Sequence, residues 1–317
     1  MGRPSGGVRK WRGVLDPREL YELAGELPEL GRPVLVVAMT GFVDAAGAAR
    51  VAAAHLRADG APATVATFDV DQLFDYRARR PPMLFVEDHW ESYEDPAIRV
   101  QVLRDTAGTP YLLLDGPEPD LQWERFATAM RMLCERLDVR ASVGLNSIPM
   151  AVPHTRPLGV TAHASRRELI AEHQPWLQRV QVPGSAAHLL EFRLGQAGRD
   201  AMGFAVHVPH YLAQTDYPPA ALTLLDAVSR ATGLALVTDR LRAASDAVRA
   251  DVDSQVERSD EVVAVVRALE EQYDAYVAGR GADLLAAGAG PLPTADELGA
   301  ELERFLAEQT DRGDQPG

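Results

Sequence analysis

Residues 34–39, VLVVAM, form an apolar run with no polar alternation, and an alanine-rich helical pattern follows the turn at Gly41 and ends near Gly60. Such a run reads as a strand covered on both faces, so this stretch predicts a buried strand, a tight turn and a helix. The segments ATVATFDV (63–70), PPMLFVEDH (81–89), IRVQVLRD (98–105) and TPYLLLDGPEPD (109–120) are rich in β-branched, aromatic and apolar residues between turn signals, and predict further strands. A helix is expected from about Leu121 to Leu137, a strand over VRASVGLNSIP (139–149) and a helix over HLLEFRLGQAG (188–198). MGFAVHVPHYL (202–212) predicts another strand, and PPAALTLLDAVSRATG (218–233) a helix opened by Pro218 and Pro219.

Apolar strands alternating with helices of about a dozen residues argue for an α/β layered fold with a largely parallel central sheet, the middle strands admitting antiparallel pairs. After Gly233 the character changes. From about Leu241 to Tyr276 glycine and proline are absent, and Val248, Val252, Val256, Val263, Val266, Leu269, Tyr273 and Val277 recur at helical spacing among charged residues. That face must be covered by the main body or by another subunit. A Gly-rich stretch and a last helix over about 295–306 follow. The pattern divides the chain into a flexible arm (1–13), an α/β core (14–235), a helical C-terminal region (236–310) and a tail (311–317).

Composition narrows the function classes. The chain has 317 residues, 46% hydrophobic and 25% charged, enough apolar material for a sizeable core. Its formal charge of -14, from 46 acids against 32 bases, repels phosphate backbones and anionic lipid surfaces, so neither nucleic acid nor membrane is an expected partner. Cys134 is the one cysteine and sits among Met130, Met132 and Leu133, which suits a core position better than a nucleophile. No segment reads as a secretion signal or a membrane span, and the cytoplasm is the expected compartment.

The candidate chemistry is sparse. GFVDAAGAA (41–49) is a glycine turn between strand and helix, but it lacks the Lys-Ser or Lys-Thr ending of a phosphate loop and the three-glycine dinucleotide fingerprint, and Asp44 would cap the helix itself. No cofactor is expected. Ser142, Ser147 and Ser185 lie outside any nucleophile elbow, Ser185 reading as a helix start. The eight histidines include no metal-binding pair, and His207 and His210, three apart, should point to opposite faces, so no metal site is expected. Asp115, Glu118 and Asp120 lie at a strand's carboxyl end, where acid–base work or helix capping by Asp120 are the two readings. VPHTRP (152–157) presents His154, Thr155 and Arg156 rigidly before Pro157. Arg156 could fork onto an internal carboxylate such as Glu118 or onto a ligand anion, and the internal pair is favoured.

The ordered set GPEPDLQWERF (116–126), VPHTRPLGVTAHAS (152–165), VPGSAAHLLEFRLGQAG (182–198), GFAVHVPHYLAQTDYPPAALTLLDAVSRATGL (203–234) and VVAVVRALEEQYDAY (262–276) resembles the actinobacterial branch of the PAC2 family, the proteasome assembly chaperone 2-like proteins. The resemblance runs from about Pro33 to Tyr276. It implies a three-layer core similar to the purine nucleoside phosphorylase-like fold with a helical C-terminal extension. It further implies a non-catalytic, self-associating, protein-binding or assembly-chaperone-like factor, with a homo-oligomer such as a trimer and a proteasome subunit as expected partners. The alternative is a phosphorylase-, hydrolase- or ligase-like enzyme acting on a small anionic substrate where Glu118, His154, Arg156 and His210 converge, arginine as anion clamp and a histidine as acid or base.

Overall fold

The computed structural model describes residues 15–26, 28–41, 43–173 and 179–278. The N-terminal arm, the Gly-rich stretch, the last helix and the tail expected from the sequence lie outside them. In chain order the strands are β1 (Tyr21–Leu23), β2 (Val34–Thr40), β3 (Ala63–Phe68), β4 (Met83–Val86), β5 (His89–Tyr93), β6 (Arg99–Arg104), β7 (Pro110–Pro117), β8 (Ala141–Met150), β9 (Val160–Ala164) and β10 (Ala201–Pro209). The helices are α1 (Ala48–Gly60), α2 (Trp123–Arg136), α3 (Ala186–Gln196), α4 (Pro218–Thr232), α5 (Asp239–Val256) and α6 (Asp260–Val277).

Eight strands form one sheet in the order β1-β3-β6-β7-β2-β8-β10-β9. β7, β2, β8 and β10 run parallel at its centre, and the pairs outside this group are antiparallel. The apolar run of β2 is the middle of the middle layer. Val34, Val36 and Ala38 enter a core with α1 and α4, while Leu35, Val37 and Met39 enter a second core with α2 and α3, so both faces of one strand are buried, as the unbroken pattern predicts. Cys134 is buried in the second core, where burial pushes its thiol up to about 12 and leaves it unreactive.

Three local readings change. PPMLFVEDH forms a strand, but β4 pairs only with β5 in a separate two-stranded ribbon outside the main sheet. The Leu241–Tyr276 run is two helices, interrupted at 257–259, where Ser259 and Asp260 are residues that favour starting a helix over continuing one. Asp120 does not cap α2. Its carboxylate instead accepts the Asp75 N–H at 2.9 Å and the guanidinium of Arg79, bracing the segment that leads to β4. The chain divides into two units, one up to Asp260 and the other from Glu261. Within the first, α5 packs on α4 and places Leu241 in the core. No helix among the described residues is long and apolar enough to cross a membrane.

Candidate functional site

Glu118 follows β7 at the carboxyl end of the parallel strands. Its N–H donates to the Thr40 carbonyl at 2.6 Å, and its buried carboxylate accepts the N–H of Ala186, the first residue of α3. A carboxylate suits that positive helix end. Gly41 makes the approach possible, because a Cβ there would lie 2.7 Å from the Glu118 Cβ. Arg79 donates to the Glu118 carbonyl. Three residues upstream, Asp115 is buried beneath Arg57 of α1, and burial raises its carboxyl above the usual range while the guanidinium opposes the shift.

His154 lies in the loop after β8 with 5% of its surface exposed. The Tyr211 hydroxyl is 2.8 Å from the His154 backbone N–H and 2.6 Å from its Nδ1, and Nε2 is 3.1 Å from the Asp253 carboxylate on α5. The Asp253 carboxylate can only accept, so the imidazole hydrogen sits on Nε2 facing it, and Nδ1 is left to accept the phenol hydrogen. Two proline-histidine turns therefore meet: VPHTRP (152–157) supplies the ring, VPHYLA (208–213) supplies Tyr211, and the pair ties α5 to the carboxyl ends of β8 and β10. Arg156 is half-buried in the same loop, and His210 is exposed with its ring edge-on to Tyr211. His207, on the preceding strand, is half-buried instead, its Nε2 2.8 Å from the Thr161 hydroxyl on β9.

An open polar cleft of about 290 Å³ lies at the carboxyl end of β2, lined by Thr40, Asp44, Gly47, Arg50, Thr215 and Asp216 among others. None of Glu118, His154, Arg156 and His210 lines it. Asp44 governs its floor. Its carboxylate accepts the N–H groups of Ala49 at 2.8 Å and Arg50 at 3.1 Å, in the first turn of α1, and lies 3.1 Å from the buried Ser147 hydroxyl. Ala46 and Gly47 hold the turn in the left-handed region, with φ of 57° and 58°. Arg50 pairs with Asp216 across the cleft. No group of three or more histidines, cysteines and carboxylates suited to a metal occurs among the described residues.

The feature that sequence reasoning missed is the β4–β5 hairpin. Met83, Leu84, Phe85, Trp90 and Tyr93 are all exposed, Trp90 at 62%. The register runs Met83 to Tyr93 and Leu84 to Ser92, then shifts so that Phe85 faces Trp90. The shift leaves Glu91 as an extra residue on β5, which brings Trp90 and Tyr93, three apart, to the same face as Met83 and Phe85. Phe85 and Trp90 stack edge-on with centroids 5.0 Å apart. The available signal was that an apolar strand of this length is bounded by Pro81 and Pro82 on one side and an acidic turn at Glu87 and Asp88 on the other, features that suit a ribbon better than a sheet interior.

Comparison with known proteins agrees with this architecture. The family model described as PAC2 family matches residues 38–256. Among solved structures, a Mycobacterium tuberculosis protein of unknown function is 51% identical, with TM-score 0.80, over 86% of this chain and 94% of its own. A protein of unknown function from Corynebacterium glutamicum is 37% identical, with TM-score 0.79, over 82% of this chain and 98% of its own. A second M. tuberculosis protein, described as a proteasome-assembly chaperone homologue, is 26% identical, with TM-score 0.68, over 74% of this chain and 99% of its own. No curated protein matches. The family match spans most of the chain, covering the end of β2, the other three parallel strands, the Glu118 and His154 turns and α5, and this chain belongs to the PAC2 family.

Proposed function

We propose that this chain is a non-catalytic, cytoplasmic protein-binding factor of the assembly-chaperone kind, self-associating as a homo-oligomer, with a trimer the arrangement to test first, and acting on a protein partner such as a proteasome subunit. Family membership and the description of the M. tuberculosis relative as a proteasome-assembly chaperone homologue support the class. The observation that carries it is the hairpin: an aromatic face of Met83, Phe85, Trp90 and Tyr93 held out in water by a ribbon that shares no strand pairing with the sheet. Apolar patches of this kind on soluble proteins mark contact surfaces. In this reading His154, Tyr211, Asp253 and Glu118 are struts that hold α5 and α3 in place.

Light scattering on wild type and on the Phe85→Glu, Trp90→Glu double variant tests the interface. Wild type should show a multiple of 34.4 kDa, and the variant should fall to a single-chain mass while keeping its thermal transition, because both side chains are exposed within one chain. A monomeric wild type, or a variant of unchanged mass, would remove the hairpin from self-association. For the partner, a proteasome α subunit should co-purify with the wild-type chain from native lysate. Its absence at stoichiometric level would sink the assembly reading.

A further inference from the structure

On the α3 face of the sheet the strand-by-strand burial of apolar side chains breaks down. β8 offers Ser142, Gly144 and Asn146, β10 offers Gly203 opposite both Gly144 and His163, and β9 offers His163. α3 covers them with His188 and Glu191, enclosing a cavity of about 20 Å³, room for one water-sized group. His163 Nδ1 is 2.8 Å from Glu191 Oε1, and the His163 and His188 rings are edge-on with centroids 5.7 Å apart. Glycine is required beneath them: a Cβ on Gly203 would strike the His163 ring and come within 2.9 Å of Glu191 Oε2.

We propose that His163, His188 and Glu191 form a proton-operated latch between α3 and the β9 edge of the sheet, held closed by the His163–Glu191 contact and opened by a proton on His188. The His163 ring faces the Glu191 carboxylate across the gap between β9 and α3. That contact ties the edge strand to α3.

A proton on His188 meets three penalties. Asn146 is oriented by the Ser147 N–H, which donates to its Oδ1 at 2.6 Å, so the Asn146 amide nitrogen, 3.2 Å from His188 Nε2, is a donor. Protonated Nε2 would set donor against donor. His188 also sits in the first turn of α3, where the helix dipole disfavours a cation, and faces the His163 charge. Burial, then the His163 charge, hold its pKa below the ordinary histidine value, with Glu191 opposing. The other charged groups around α3 are engaged elsewhere: Glu118 with the Ala186 N–H, and Glu124 of α2 with Arg193.

In the closed state His188 binds its proton more weakly than when α3 is released. Acidification below the ordinary histidine range therefore favours release, by up to about tenfold per pH unit until His188 itself titrates. The test is imidazole NMR on the full chain from pH 8 to 4.5, with hydrogen exchange of the α3 amides corrected for its intrinsic pH dependence. His188 should titrate below the ordinary histidine value, its midpoint should rise in His163→Gln and in Asn146→Asp, and α3 protection should fall over the interval that precedes the His188 midpoint. A His188 midpoint at or above the ordinary histidine value, one that neither variant moves, or α3 protection independent of pH would each overturn the proposal. A variant that fails to fold leaves the wild-type His188 midpoint and exchange profile to decide.

Discussion

Gly116→Ala is expected to lower the unfolding free energy by on the order of 3 kcal/mol, seen as a drop in the urea midpoint at unchanged slope. Two effects combine. Gly116 has a φ of 128°, in a region that is essentially glycine's alone and costs an L-residue about 1–3 kcal/mol. A Cβ there would also collide with the Ala97 carbonyl and come within 2.9 Å of the Ile98 Cα. Both are backbone atoms, so no side chain can move aside, and overpacking of this kind costs roughly 1–3 kcal/mol more. Gly108→Ala separates the two effects, since Gly108 has a φ of 81° with nothing within 4 Å of the position a Cβ would take. If the two variants lose the same stability, the collision is relieved by a shift of the 97–98 segment. The larger loss at Gly116 would locate rigidity immediately before Glu118.

Stability should also fall by about 3 kcal/mol on acidification from the ordinary histidine range towards pH 4, and His207→Gln should remove most of that slope. His207 lies under β9 with its Nε2 on Thr161, and burial depresses its pKa from 6.5 to about 4. The folded chain therefore binds this proton more weakly than the unfolded chain. The contribution is fully present above pH 6.5, and acid removes it across the interval between the unfolded and folded values. His188, also depressed, adds in the same direction. The glutamine amide keeps a hydrogen-bonding group towards Thr161 without a titrating proton, so urea melts at several pH values on both proteins isolate the effect. An unchanged slope in the variant would assign the acid sensitivity to carboxylates instead.

The sequence carried the layers better than the edges. Val34 to Met39 could be read as doubly covered because a run without alternation has no other soluble solution, and the proline-opened α4 announced its own start. β9, VTAHA, was invisible because every one of its residues is half-buried, and Thr161 and His163 face a polar cluster instead of a core. The hairpin shows the opposite failure: MLFV has the composition of a buried strand, and composition does not say whether the covering surface belongs to the same chain. Within the candidate site, His154 and its turn were legible from Pro153 and Pro157. Its partner Asp253 stands 99 positions away, so spacing could not identify it. Glu118 could be placed at a strand's carboxyl end, but the α3 N–H it serves could not.

The turn after β2 has a consequence for the chemistry open to this fold. In many α/β proteins the first turn of the helix after such a strand is where a phosphate lands, because its N–H groups point outward unpaired. Here Asp44 supplies the counter-charge from within, and the N–H groups of Ala49 and Arg50 are already taken. A single carboxylate thus occupies the helix end where a phosphate would land. A descendant or an engineered variant that gained phosphate recognition there would have to begin by losing Asp44.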